Sequence, residues 1–338
     1  MSMIDQKPYA ATSRRAAMLG LAASALALPH IARAAPRRVR FGHNGAVDSH
    51  FGRGGQEFAD AVAADPVIGS VLKIEIVGNG QLGDELFMMA GCTKGTVDGA
   101  LIGGAVISTA MPEMGLLSAP YIFRDVAHAR ATLDGPIGTE FIELSRAKNL
   151  PVLAWGENGL VHLTSNVAVR TVAELRGLKL RVPPSPMVLN GMRALGADAA
   201  PLAFGLLRGA LQSGEFQAQQ NSIAIVESAK LHELQKYLSL TGHIYDAMGF
   251  IASADLLEDL NEAQRAALTS CARKGAVVTR QVADVAAKDG LGRLRSLGMT
   301  IIEDVDLAGF RAAARPYIES LQPTFGADRV KSLLGSAA

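Results

Sequence analysis

The sequence predicts an α/β protein of two lobes facing each other across a cleft and backed by one long helix. Three observations predict it. A strand-helix alternation begins at Val39 and restarts after Pro151, so the pattern of one α/β unit occurs twice. The chain has 338 residues and 49% hydrophobic composition, enough to bury more than one core. Residues 261–289 contain no proline and one internal glycine, and they read as a single helix of roughly 40 Å at 1.5 Å per residue.

Taken in order, the chain opens on an address label. Ser13-Arg14-Arg15 precedes an apolar run from Ala16 to Leu28, and Ala32-Arg33-Ala34 supplies a small-x-small cleavage pattern. This predicts a twin-arginine export signal over residues 1–34 and a mature chain in the periplasm. The apolar run is shorter than the roughly 20 residues that span a bilayer, so no membrane insertion of the mature chain is expected. Val39 to His43 then reads as a strand, Phe51 to Ala63 as a helix and Leu72 to Val77 as a strand. Asp84 to Lys94 reads as a helix and Gly99 to Gly104 as a short buried strand, a βαβαβ start that predicts a parallel, doubly wound sheet. Pro151 to Trp155 and Val161 to Thr164 read as separate strands, followed by a helix at 172–176, a strand at 179–182 and a helix at 186–195. The crossings near Glu157-Asn158-Gly159 and near Tyr245 to Ala247 assign residues 35–158 plus 247–286 to lobe I and 159–246 plus 287–338 to lobe II.

Several function classes drop out on composition. The formal net charge is +1, and loss of Lys7, Arg14, Arg15, Arg33 and Asp5 with the export signal leaves −2. Neither value points to nucleic acid or anionic lipid. Aromatics at 5% argue against a carbohydrate-stacking surface. The seven histidines and two cysteines show no metal-ligand spacing, so no metal or cofactor is expected, and Cys92 and Cys271 read as separate buried thiols. Gly78-Asn79-Gly80-Gln81-Leu82-Gly83 matches a dinucleotide fingerprint between a strand and a helix. The acid that should end the next strand is absent there, since Asp98 precedes it, which leaves a secreted NAD-dependent oxidoreductase only as a remote alternative. Glu57, Glu85 and Glu157 read as solvated faces rather than a catalytic pair.

Six segments occur in a telling order. They are Gln81-Leu82-Gly83, Pro120 to Asp125, Glu157-Asn158-Gly159, Leu178 to Pro183, Ala210 to Gly214 and Gln235 to His243. Together the chain resembles the DctP-type solute receptors of tripartite ATP-independent periplasmic (TRAP) transporters, over essentially the whole mature length. The resemblance implies a receptor, not an enzyme, that closes on a small carboxylate and delivers it to a membrane permease of a small and a large subunit. A periplasmic sensor feeding a membrane receptor kinase shares the same fold and is the alternative.

The family's clamp arginine falls on Arg181 and its pocket asparagine on Asn221. A guanidinium suits the task because its fork gives a carboxylate two parallel, charge-assisted hydrogen bonds. Many members carry a second arginine where this chain has Val161, and Gln220 stands where an acid is usual. His162 is the nearest substitute donor, but strand alternation turns it away from Val161. Asn158, Trp155, Tyr121, His50, Gln81 and Tyr245 complete the expected ligand contacts. One cationic anchor in apolar surroundings favours a monocarboxylate or a small keto or hydroxy acid over a highly charged sugar acid.

Overall fold

Val39 and Phe41 alternate with arginines and point into the core, and this alternation makes β1 (Arg37–Gly42) a strand with one buried face. The computed structural model describes residues 35–334, so the predicted export signal lies outside the described residues. From β1 the chain runs through α1 (His50–Ala64), β2 (Leu72–Val77), α2 (Glu85–Thr93), β3 (Gly99–Gly103) and the one-turn α3 (Gly104–Ile107). Helices α4 (Val126–Asp134) and α5 (Pro136–Ala147) lead to β4 (Val152–Ser165), and α6 (Val172–Leu175) follows it. A second unit then repeats the first as β5 (Lys179–Val182), α7 (Pro186–Ala194), β6 (Asp198–Pro201), α8 (Phe204–Ser213), β7 (Ala218–Ser222) and α9 (Ile223–Ser228). The chain continues through β8 (Tyr237–Ala252), α10 (Ala254–Glu258), α11 (Glu262–Val285), α12 (Leu291–Ser296) and β9 (Thr300–Ile302) to α13 (Leu307–Ser320), α14 (Gln322–Phe325) and α15 (Ala327–Leu334).

The sheet is mixed, not wholly parallel as the βαβαβ start predicts. Its order is β2-β1-β3-β8-β4-β7-β5-β6, with β9 beside β8. β1 pairs parallel with β2 and β3, and β5 pairs parallel with β6 and β7. Between these two triads run β8 and β4, antiparallel to each other and to β3 and β7. Each triad has the same order from its edge inward: second, first, third strand of its unit. Each therefore has its own switch point, and their carboxyl ends form the crevice. Two hydrophobic cores lie on the sheet's two faces and both span the triads, as the alternation of Leu101 with Ala100 and Ile102 shows.

β4 is one strand where the sequence suggests two. Gly156 to Gly159 resembles a turn, yet Glu157 stays opposite Ala247 and Gly159 opposite Asp246. Asn158 is the extra residue of a β-bulge, and Gly159 takes φ +112°, a conformation that favours glycine. The long helix is realised as α11, which a π turn at Ala286–Gly290 joins to α12. Asn261 and Gln264 cap its start reciprocally. It lies on α1 where Gly275 and Gly54 bring the two backbones together, and the turn's Gly290 abuts Ile223 and Glu227 of α9. Cys92 and Cys271 are separate buried thiols in different cores. Among the described residues, no helix is long and apolar enough to cross a membrane.

Candidate functional site

The carboxyl ends of both triads open onto one cleft, whose empty space is about 630 Å³ when the part open to solvent is included. Asn44 and Gly45 after β1 and Gly103 and Ala105 at the β3 end line one side. Arg181 and Pro183 at the end of β5, with Gln220 and Asn221 of β7, line the other. The β4–β8 pair contributes Asn158, Val161, Ile244 and Asp246. Asn158 and Val161 share this cavity although three residues apart, a spacing that regular two-residue alternation does not allow and the bulge does.

Arg181 is 3% exposed and makes one hydrogen bond among the described residues, from Nε to the Leu202 carbonyl at 2.8 Å. It belongs to no ion pair within 4 Å among them. Burial lowers its pKa to about 10, with the Glu85 carboxylate pulling the other way. A desolvated guanidinium with no ion-pair partner within 4 Å is costly, and an anion entering the cavity would offset that cost. Asn221 stands in the same wall, its Nδ2 donating to Gln219 Oε1 at 2.6 Å.

Asn158 ties the centre together. Its Nδ2 donates to Asp246 Oδ2 at 2.6 Å, so its Oδ1 is an acceptor and His50 Nε2 must be the donor in the 2.8 Å contact between them. His50 thus stands behind Asn158 rather than on the cavity surface. Burial holds both it and His43 at a pKa of about 4, neutral at pH 7.

The remaining expected contacts go elsewhere. Trp155 donates from its indole to Gly138 O at 3.1 Å and lines an outer groove with Arg273 and Arg280. The Tyr121 hydroxyl donates to Thr241 O at 3.1 Å, and that of Tyr245 to Glu157 Oε2 at 2.9 Å; both are buried off the cavity. Gln81 is exposed on the turn between β2 and α2. That turn places Asn79, Gly80 and Gly83 at positive φ, which accounts for two of the three glycines, and at Gly78 a Cβ would crowd the His43 ring at 3.0 Å. His162 accepts from Gly242 N at 3.0 Å and lies on the opposite face from Val161, so it does not replace a second arginine.

Two residues of the cavity were not legible as such. Glu85, read as a solvated face, turns inward: its Oε1 accepts from Gly103 N at 2.9 Å, and burial raises its pKa to about 7. Asp246 accepts from Ala105 N at 3.3 Å and from Asn158, and burial raises it to about 6. A lone acid within the apolar run 244–252 is the signal that marks it. Glu157 is also buried rather than solvated, paired with Arg130 at 2.6 Å.

The family model of bacterial extracellular solute-binding protein, family 7 (DctP), matches residues 41–323. A solute-binding protein of Verminephrobacter eiseniae is 35% identical over 294 residues, 87% of each chain. A TRAP periplasmic solute-binding protein from Polaromonas sp JS666, bound to D-erythronate, superposes with a TM-score of 0.86 at 31% identity, covering 89% of this chain and 99% of that one. Another from Bordetella bronchispeptica, with density interpreted as pantoate, gives 0.85 at 32% identity with the same coverage.

Proposed function

The chain belongs to bacterial extracellular solute-binding protein family 7, the DctP receptors of TRAP transporters, and from that membership we propose that it captures a small hydroxylated monocarboxylate on Arg181 and Asn221. The carrying observation is Arg181: a buried guanidinium, unpaired within the described residues, at the cavity wall. D-erythronate and pantoate, the ligands named for two similar structures, are both hydroxylated monocarboxylates. The solute passes to the small and large membrane subunits of a permease, without turnover.

The bulge at Asn158 and the facing Asp246 are where β4 and β8 pass from one triad to the other, and closure is proposed to hinge there. A thermal-shift screen of four- to six-carbon hydroxy acids tests the function. At a thousand times its dissociation constant the solute stabilises the native state by about 4 kcal/mol. The same saturated sample shows a smaller radius of gyration in solution scattering. No shift with any such acid contradicts the receptor reading, and an unchanged radius at saturation contradicts the hinge. Export by the Arg14-Arg15 signal is proposed from the sequence; replacing both with lysine is expected to retain the precursor in the cytoplasm, and normal secretion contradicts it.

A further inference from the structure

The β4–β8 pair has a second hollow on its reverse face. Val161 faces the solute cavity, while Leu160 and His162 face the hollow behind it, whose empty space is about 700 Å³ when the part open to solvent is included. Asn158 alone lines both. The walls come from two irregular segments, the bulge of β4 and the π turn at Ala286–Gly290, and such turns are frequent at functional sites. Most of the lining is apolar: Leu160 of β4, Ile223 of α9, Leu240 of β8, Ala283 of α11, Ala287 of the π turn and Leu291 of α12. Its two acids are already engaged. Arg130 donates to Glu157 at 2.6 Å and to Asp284 at 2.7 Å, and the Tyr245 hydroxyl also donates to Glu157. One polar side chain has a group to spare. His162 is 7% exposed and its Nδ1 accepts from Gly242 N, which puts the proton of the neutral ring on Nε2; that N–H makes no hydrogen bond among the described residues.

We propose that this hollow is a second binding site, for a neutral, compact, apolar molecule bearing one acceptor oxygen, and that filling it tightens the hold on the solute. The free donor on His162 calls for a carbonyl, ether or hydroxyl oxygen, because a buried N–H left unpaired is costly. An anion would meet Glu157 and Asp284, which outnumber Arg130, and a cation would lose its hydration in an apolar hollow beside a second donor. The coupling runs through Asn158. Ser222 Oγ, in the hollow, stands 3.5 Å from Asn158 Oδ1, and Asn158 Nδ2 holds Asp246 of the solute cavity at 2.6 Å. Near the cavity mouth Leu86 of α2 and Phe204 of α8 line one small space together, so the two triads stand close on that side. Closing the mouth about the β4–β8 pair spreads the reverse face. A molecule wedged behind the pair therefore favours the solute-holding form, and linkage makes the effect reciprocal.

The coupling rests on the proposed solute site and hinge; occupancy of the hollow does not. Its test is a nuclear magnetic resonance titration of the mature protein, with isotope-labelled histidine rings and alanine and leucine methyls, by cyclohexanone, cyclohexylammonium and cyclohexanecarboxylate, which share a ring and differ in charge. Cyclohexanone is expected to shift the His162 Nε2, Leu160 and Ala283 signals and to saturate in the millimolar range, as a ligand this small allows. The two charged rings bind there at least about tenfold more weakly. Ala287 is exposed at the rim, so Ala287→Trp plugs the hollow from outside the packed core, and His162→Asn keeps an acceptor for Gly242 N while removing the free N–H. Each variant weakens cyclohexanone by about tenfold or more. Calorimetry reads the coupling: saturating cyclohexanone tightens D-erythronate, or whichever acid binds tightest in the thermal screen, at least about threefold on the wild type and changes nothing on Ala287→Trp. No saturable shift, an equal response in the wild type and both variants, or equal affinity for all three rings overturns the site. A solute affinity unmoved or weakened while the hollow is filled overturns the coupling. Either result leaves the receptor reading standing, whereas a wild type that binds no acid in the thermal screen overturns that reading and the coupling, with the titration still deciding the site.

Discussion

Arg181→Ala is expected to weaken solute binding by a hundredfold or more. Its guanidinium is buried, its Nε is held by the Leu202 carbonyl, and no ion pair among the described residues competes for the other two nitrogens. Removing one partner of a desolvated, hydrogen-bonded charge pair costs about 3–5 kcal/mol, because the carboxylate left behind has lost its water and gained no donor. Val161 fills the wall where a second arginine would share the load, and His162, turned to the other face and neutral with a pKa of about 4, does not compensate. Arg181→Lys is expected to recover part of the loss, since an ammonium keeps the charge but not the fork. Calorimetry on folded protein checks this; a variant within about threefold of wild type, where tenfold is 1.4 kcal/mol, places the anchor elsewhere.

Gly275→Ala is expected to destabilise the fold by about 2–3 kcal/mol, although alanine is the better helix former by about 1 kcal/mol. A Cβ at Gly275 would overlap the carbonyl oxygen of Gly54, and one at Gly54 would come within 2.9 Å of the carbonyl oxygen of Gly275. Backbone cannot rotate away as a side chain can, so α11 must lift from α1. The same replacement at Gly292 meets nothing within 4 Å and should stabilise by roughly 0.5–1 kcal/mol. Urea midpoints at unchanged slope measure both. Equal responses at the two glycines would contradict the close crossing.

The sequence resolves what depends on local pattern. β2 and β5 fall where alternation places them, at Leu72–Val77 and Lys179–Val182, and the Asn261–Gln264 capping box begins α11. It does not resolve what depends on pairing. Gly156 to Gly159 looks like a turn in isolation and becomes a bulge only because β8 runs alongside; β8 itself is masked by Thr241-Gly242-His243 and Asp246 in its middle. The direction of the central strands, and with it the mixed sheet, follows from that pairing. The site divides in the same way. Arg181 and Asn221 reach the cavity because they end strands of one parallel triad, and Asn158 because it is the bulge. Glu85 gives no local sign of burial, since a helix-start glutamate is ordinarily solvated, and only the approach of β3 and β8 turns it inward. Tyr121, Trp155 and Tyr245 have side chains whose hydroxyl or N–H is taken by a carbonyl or carboxylate of the fold, as buried polar groups require.

The measurement closest to the central claim is a crystal structure of the mature protein with D-erythronate. The account predicts the carboxylate within hydrogen-bonding distance of the Arg181 guanidinium and Asn221, inside the cavity that they line. A carboxylate bound away from Arg181, or a ligand seated in the outer groove beside Trp155 with the cavity filled only by water, would contradict it.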